Sequence, residues 1–365
     1  MLREQNLDAL FLTAWENVHY LSGFNNSAFA TTKDFPYVLI VTHSGESTFI
    51  VREVMTVSAR ETSWIEDIRS YRLASDSKEV VKKAISDLGL EGRRIGAEMG
   101  ENMAVKFSTG LFLEMMKDFG AGFVDGAPAM WKLRMVKSPF EITRISKACK
   151  IASRAFERSL VKLRAGMTER EFSILIGRYM MEEGADAPAW PVTIQSGQKF
   201  REGLMGGFAD DMKLRKGDVV QVDWGAKYKQ YESDLNRMAI IGRQPTAAEK
   251  NHWDVYVEAN KKGIAAIRPG VTASDVFRAM AKVFEEAGLK NNNVRAGHGI
   301  GLEGHEPPHL GLHDNTVLES NMAFAVEPFG VPNKEGLILN CEDDAVCTET
   351  GSRRLTTVSR EIYVA

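Results

Sequence analysis

The sequence predicts an α+β protein in two parts: a smaller α/β domain over residues 1–129, then a larger domain over residues 130–365 organised as a pseudo-twofold repeat. Three observations carry this. Up to about residue 127 the chain alternates short apolar runs of strand type with helix-like stretches. At Ser138-Pro139-Phe140-Glu141 stand an N-cap serine, a proline in the first turn and a glutamate three residues on, a capping box that opens a helix and puts a domain boundary near residue 130. Further on, Ala165-Gly166-Met167-Thr168 opens a helix ending at Gly184, and Pro269-Gly270-Val271-Thr272 opens another ending at Gly288, with the same loop, threonine cap and length. Two such helix-plus-strand units imply helices outside a curved sheet, with a cradle between the halves.

Element by element, a helix-like start leads into the strand Ala9-Leu10-Phe11-Leu12, and a long strand follows over Tyr37-Val38-Leu39-Ile40-Val41. Phe49-Ile50-Val51 makes a third, a helix lies near Glu79 to Leu88, and Arg94-Ile95-Gly96 returns to strand. In the larger domain a β-branched run ends at Asp223 and an apolar run follows Asp234. A short polar turn joins them, so an antiparallel hairpin would bring the two carboxylates together.

Five residues stand in contexts that position metal ligands: Asp223, Asp234, His298, Glu327 and Glu342. His298 lies between Gly297 and Gly299, which remove side-chain bulk and let the backbone approach a bound group. Glu327 follows the apolar run Met322 to Val326 and precedes Pro328, and Glu342 follows Leu337 to Cys341. Each alone has an ordinary reading: a turn aspartate, an aspartate paired with Arg237, a histidine at a strand end, a glutamate with an arginine partner. Together, four carboxylates and one imidazole make a hard, oxygen-rich pocket suited to two divalent ions. Like charges buried side by side are costly unless a cation sits between them.

In order and spacing this set resembles the M24 metallopeptidases, the pita-bread enzymes that include Xaa-Pro aminopeptidases, prolidases, methionine aminopeptidases and the metal-free creatinase. The resemblance rests on Ser233-Asp234-Leu235-Asn236-Arg237, His298-Gly299-Ile300-Gly301-Leu302, His305-Glu306-Pro307-Pro308, Glu327-Pro328 and Glu342-Asp343. Asn17 to Phe24 is similar to the N-terminal domain of the prolidase and creatinase branch, so the likeness spans nearly the whole chain. It implies a creatinase-type N-terminal domain before a pita-bread catalytic domain, and two divalent ions drawn from Mn, Co, Zn or Fe, with Mn favoured. Asp223 would hold one ion, Asp234 and Glu342 would bridge both, and His298 and Glu327 would hold the second. Two ions sharing a water lower its pKa and stabilise the oxyanion that forms. Glu327 would carry the water's proton to the leaving nitrogen, and His305 would hydrogen-bond the substrate carbonyl. The implied activity is hydrolysis of the amide bond before proline, as an aminopeptidase or dipeptidase, by a homodimer.

Departures from the pattern fall on the substrate side. Proline-specific members carry a Pro-His pair upstream of the first aspartate; the corresponding stretch here, Glu202 to Phe208, has no histidine. Asn340 stands where those enzymes usually have arginine, Asn236 and Met238 where they have threonines, and Phe329 where they have glycine. These changes keep open a small non-peptide substrate, as in ectoine hydrolases and dimethylsulfoniopropionate lyases. A non-enzymatic peptidase-like binding domain, as in some histone chaperones, has no need of a costly carboxylate cluster. A net charge of -3 gives no reason to expect nucleic acid. No apolar stretch approaches a membrane span, and Met1 to Gln5 starts no secretory signal. Cys149, Cys341 and Cys347 lack zinc-ribbon spacing, which fits buried thiols in a reduced cytoplasmic compartment.

Overall fold

Apolar runs separated by polar turns become the strands of a single mixed sheet in the first part of the chain. The computed structural model describes residues 1–26, 35–119, 122–197, 199, 207–332 and 338–365. Contacts divide the chain into two units, Met1–Leu133 and Arg134–Ala365.

In the first unit β1 (Ala9–Leu12), β2 (Val38–Thr42), β3 (Ser47–Arg52), β4 (Asp67–Tyr71), β5 (Arg94–Ala97) and β6 (Gly122–Asp125) lie in the order β4-β3-β2-β1-β5-β6. The helices are α1 (Trp15–Ser22), α2 (Thr56–Thr62), α3 (Ser77–Asp87), α4 (Thr109–Asp118) and α5 (Ala127–Met135). Ala9 and Phe11 pack with Val81 and Ile85 of α3 and Phe112 of α4, whereas Leu10 and Leu12 pack with Val18 of α1, Ala59 of α2 and Met130 of α5. Both faces of β1 are therefore covered, which is why it reads as an unbroken apolar run. The helix-like start is only a 3-10 turn, Arg3–Gln5.

The second unit carries the repeat. Helices α6 (Pro139–Leu160) and α7 (Glu169–Glu182) are matched by α8 (Ala247–Ala266) and α9 (Ala273–Glu286). All four begin with a complete capping box, on Ser138, Thr168, Thr246 and Thr272. The loops repeat as well: Gly166 (φ 88°) donates its N–H to the Leu214 carbonyl at 2.8 Å, and Gly270 (φ 87°) to the Leu318 carbonyl at 2.9 Å. Helices α6 and α7 cover a sheet in which β8 (Thr193–Ser196), β9 (Val219–Trp224) and β12 (Leu235–Ile240) are neighbours, through Phe156, Phe172, Val222 and Trp224. Helices α8 and α9 cover a second sheet through Tyr256, Met280, Phe324 and Val326. Its order is β14 (Glu306–Gly311), β13 (Arg295–Gly299), β15 (Ala323–Val326), β16 (Asp343–Cys347) and β17 (Ser352–Arg354). An isolated bridge between Asn236 and Glu342 joins the two sheets, which is the pseudo-twofold α+β layout expected.

The polar turn between Asp223 and Asp234 is more than a turn. It contains a miniature hairpin of β10 (Ala226–Tyr228) and β11 (Tyr231–Glu232), reversed at Lys229 and Gln230, both with positive φ, and β7 (Ala187–Pro188) pairs with β10 on its other edge. In the β9–β12 ladder Asp223 lies opposite Asn236, and Asp234 sits just before β12.

Candidate metal centre

Each donor is fixed by a strand or a strand end. Asp223 points from β9, and Asn236 across the ladder donates Nδ2 to its Oδ2 at 3.1 Å. The Asp234 backbone N–H donates to Asp344 Oδ2 at 2.9 Å. Arg237, wholly buried, does not pair with Asp234, so the ordinary reading of that aspartate fails. Its Nη1 donates to the carbonyls of Asn236 (2.8 Å) and Glu342 (2.6 Å), and its Nη2 pairs with Asp343 at 2.5 Å. Glu327 follows β15 and Glu342 precedes β16. Asn260 of α8 secures both ends, donating Nδ2 to the carbonyls of Val326 (2.8 Å) and Cys341 (3.3 Å), the residues just before the two glutamates.

His298 lies in β13 with Nδ1 3.0 Å from the carbonyl oxygen of Gly299. That contact places the proton on Nδ1 and leaves the Nε2 lone pair facing the carboxylates. The flanking glycines are required by strand packing: a Cβ at Gly297 (φ 151°) would meet the Ala325 carbonyl oxygen at 2.5 Å, and one at Gly299 the Pro307 carbonyl oxygen at 2.4 Å.

Donor atoms converge in three overlapping groups, each within 4.8 Å: Asp223, Asp234 and Glu342; His298, Glu327 and Glu342; Asp234, His298 and His305. His298 Nε2 is 3.5 Å from Glu327 Oε1 and 3.7 Å from Asp234 Oδ2. All five expected ligands are thus brought together. His305 joins them, its ring centroid 3.9 Å from that of His298. Three buried atoms, His298 Nε2, Glu327 Oε1 and Glu342 Oε1, have no hydrogen-bond partner among the described residues. Desolvation first, then mutual repulsion, pushes Asp234 and Glu342 well above the usual carboxylate range. Desolvation also pushes Asp223 up to about 6 and Glu327 to about 8, and it holds His298 well below an ordinary histidine. Orphaned oxygens and a free imidazole lone pair are what a bound cation satisfies, and four carboxylates with one nitrogen fit a pair of divalent ions.

Behind His305 the loop is pinned by Glu306, which pairs with Arg134 at 2.5 Å and Lys137 at 3.0 Å and accepts the Leu302 N–H at 3.0 Å. The two cations hold Glu306 down at about 2 in spite of its burial. Asp343 likewise stays below the usual range, because Arg237, Arg354 and Arg360 surround it.

The four donor carboxylates and His305 face a cavity of about 560 Å3 whose wall also includes Trp190, Glu232, Arg295, Phe329 and Asn340. Two of the altered positions, Phe329 and Asn340, therefore do face the site, while Met238 is buried in the core under α8 and α9. Residues 202–206 of the histidine-free stretch lie outside the described residues. Sequence reasoning missed Glu232, Arg295, Asn260 and Asp344; the available signal was proximity to a donor, Glu232 two residues before Asp234 and Arg295 three before His298. Among the described residues no helix is long and apolar enough to cross a membrane.

The chain matches the sequence profile of metallopeptidase family M24 over residues 143–349 and that of the creatinase/prolidase N-terminal domain over residues 1–136. It is 30% identical over 364 residues to an Xaa-Pro dipeptidase of Pyrococcus furiosus, covering 98% of this chain and 96% of that protein. Among solved structures, the prolidase from Pyrococcus horikoshii OT3 superposes with a TM-score of 0.85 at 29% identity, covering 99% of this chain and 97% of that one. The X-Pro aminopeptidase from Thermotoga maritima gives 0.82 at 29% identity, covering 98% of each.

Proposed function

The chain belongs to metallopeptidase family M24, with a creatinase-type N-terminal domain before a pita-bread catalytic domain, and from that premise we propose that it hydrolyses the amide bond preceding proline in an Xaa-Pro substrate. The observation that carries this is the cluster of five donors with three buried, unpartnered atoms at its centre. Asp223, Asp234, His298, Glu327 and Glu342 would hold two divalent cations, manganese in our reading. Bound there, the cations supply an activated water and polarise the scissile carbonyl.

The protein's own groups do the rest. Asp234 and Glu342, which share a donor group with Asp223 and each belong to a second group that contains His298, would be the carboxylates that bind both cations. Glu327 takes the water's proton and passes it to the leaving proline nitrogen, a task suited to a carboxylate with one oxygen free of hydrogen bonds. His305, packed on His298 and exposed toward the cavity, donates to the carbonyl oxygen as it gains negative charge. Glu306 holds that loop in place. By analogy with relatives of the prolidase branch, the protein acts as a homodimer in the cytoplasm.

A second reading, a small non-peptide substrate, draws on Asn340, which faces the cavity where proline-specific relatives carry arginine. Against it stands the cavity volume, about 560 Å3, which accommodates a dipeptide. The deciding experiment loads the purified protein separately with Mn, Co and Zn and offers Xaa-Pro dipeptides, longer Xaa-Pro peptides and proline-free controls, with release followed by mass spectrometry. Metal-dependent cleavage before proline supports the peptidase; two tightly bound metals with no peptide cleaved moves the assignment to the small molecule.

A further inference from the structure

Two side chains of α8 reach the ribbon that runs from β15 to β16, and both end on its backbone. Tyr256 is wholly buried, with its ring edge-on to Phe284 at 5.0 Å. Its hydroxyl donates to the Val331 carbonyl at 2.7 Å and accepts from the N–H groups of Val331 at 2.8 Å and Leu339 at 3.4 Å. The single O–H is thereby engaged by one carbonyl and the oxygen by two amides. Asn260 stands four residues further on, on the same face of the helix, and donates to the carbonyls of Val326 and Cys341.

The two tethers fall on different parts of the ribbon. Val326 and Cys341 each immediately precede a metal donor, Glu327 and Glu342. Val331 lies two residues after Phe329, and Leu339 one before Asn340; Phe329 and Asn340 both line the cavity. An isolated antiparallel bridge joins Phe329 to Asn340. Past it, among the described residues, the arms share one long backbone bond, from the Gly330 N–H to the Leu339 carbonyl at 3.4 Å. Backbone pairing is therefore thin beside these two wall residues, and the Tyr256 hydroxyl, bonded to both arms, takes the place of a further rung. Val331 and Leu339 are each 1% exposed, so without the hydroxyl two N–H groups and a carbonyl lose a partner that water does not replace.

We propose that Tyr256 is a positioning residue for the substrate wall: its hydroxyl holds Phe329 and Asn340 against the cavity, while Asn260 holds the two glutamates of the donor cluster. One helix thus sets substrate affinity and metal affinity through two separate side chains a turn apart. This rests on the reading that an amide substrate occupies the cavity. A loosened wall loses contacts made alike by the bound and the reacting substrate, so it weakens binding and leaves the chemical step as fast as before.

The test uses the metal-loaded full chain and compares Tyr256→Phe with the wild type and with Asn260→Asp. Tyr256→Phe keeps the ring packed on Phe284 and removes only the hydroxyl. It should raise KM for an Xaa-Pro dipeptide by about tenfold, the scale of a lost hydrogen bond, with kcat and metal content unchanged. Asn260→Asp should instead lose metal to a chelator. A merely structural Tyr256 would lower kcat and metal content together; that result, or an unchanged KM, overturns the proposal. If no peptide is cleaved, hydrogen exchange of the loaded protein, read by mass spectrometry, still decides it. Exchange about tenfold faster around Val331 and Leu339, with β15 and β16 unchanged, upholds the tether while the cleavage reading fails. Unchanged exchange, or faster exchange spread through both strands, refutes it.

Discussion

At the scale of single residues, three consecutive carboxylates meet three fates. Glu342 enters the donor cluster, Asp343 is ringed by three arginines, and Asp344 accepts from the Asp234 backbone at 2.9 Å and from the Cys149 thiol at 3.2 Å. Nothing in a Glu-Asp-Asp run separates these roles, which is why Asp344 was not legible. The five donors were legible because a carboxylate or imidazole closing an apolar strand needs a partner, and five such residues together leave few alternatives to a metal. Asp234→Ala or Glu342→Ala should abolish metal loading and activity together, read by elemental analysis beside turnover; retained activity with unchanged metal content would sink the two-ion assignment. His305→Ala should keep its metals and lose turnover by about a hundredfold, the scale of one transition-state donor; metal loss would instead make His305 a ligand. Glu306→Gln leaves Lys137 facing an uncharged partner and Arg134 with the Glu303 carboxylate as its remaining counter-charge, and should cost about 3–5 kcal/mol at neutral pH. Because the folded-state pKa of Glu306, about 2, lies below its ordinary 4.5, the stability it contributes is complete above 4.5 and is lost as pH falls toward 2. The difference between wild type and variant in urea melts should shrink over that window.

At the scale of elements, capping boxes and glycine stops made the helices the most readable part of the chain. Thr168 and Thr272 each accept from the amide three residues on, at 3.0 and 3.2 Å, and each opens a helix of 14 residues. Thr168→Ala and Thr272→Ala should therefore cost similar amounts, about 1 kcal/mol each; a large disparity in denaturant midpoints would argue against equivalent halves. The hairpin between Asp223 and Asp234 was less readable, because strands as short as β10 and β11 leave too few residues for an alternation to register. Helix α8 supports the centre through Asn260, whose neighbours gave no hint of it. Asn260→Asp keeps the shape and removes the donor from two buried carbonyls, so it should destabilise by about 1–3 kcal/mol and weaken metal retention during dialysis against a chelator.

At the scale of the second unit as a whole, the donors divide between its two sheets: Asp223 and Asp234 belong to the half covered by α6 and α7, and His298, Glu327 and Glu342 to the half covered by α8 and α9. Cations bound to both halves would stabilise the folded state by mass action. The chelated protein should melt lower than the loaded one, and the gap should widen with pH. In the metal-free protein the folded-state pKa values of Asp223, raised from 3.8 to about 6, and Glu327, raised from 4.5 to about 8, make these two groups progressively more costly to the fold as pH rises from their ordinary values, a loss complete at about 6 for Asp223 and about 8 for Glu327. Melting scans of both forms from pH 5 to 8 would show this, and parallel curves would contradict it.

The division of the donors between halves also sets a timetable. A growing chain emerges with Asp223 and Asp234 first and Glu342 last, so the early aspartates alone offer an ion nothing better than an ordinary acidic pair. No ion can be committed during synthesis of the first half. The choice of metal falls to the finished, folded molecule, and it is made from whatever free ions that compartment holds at the time.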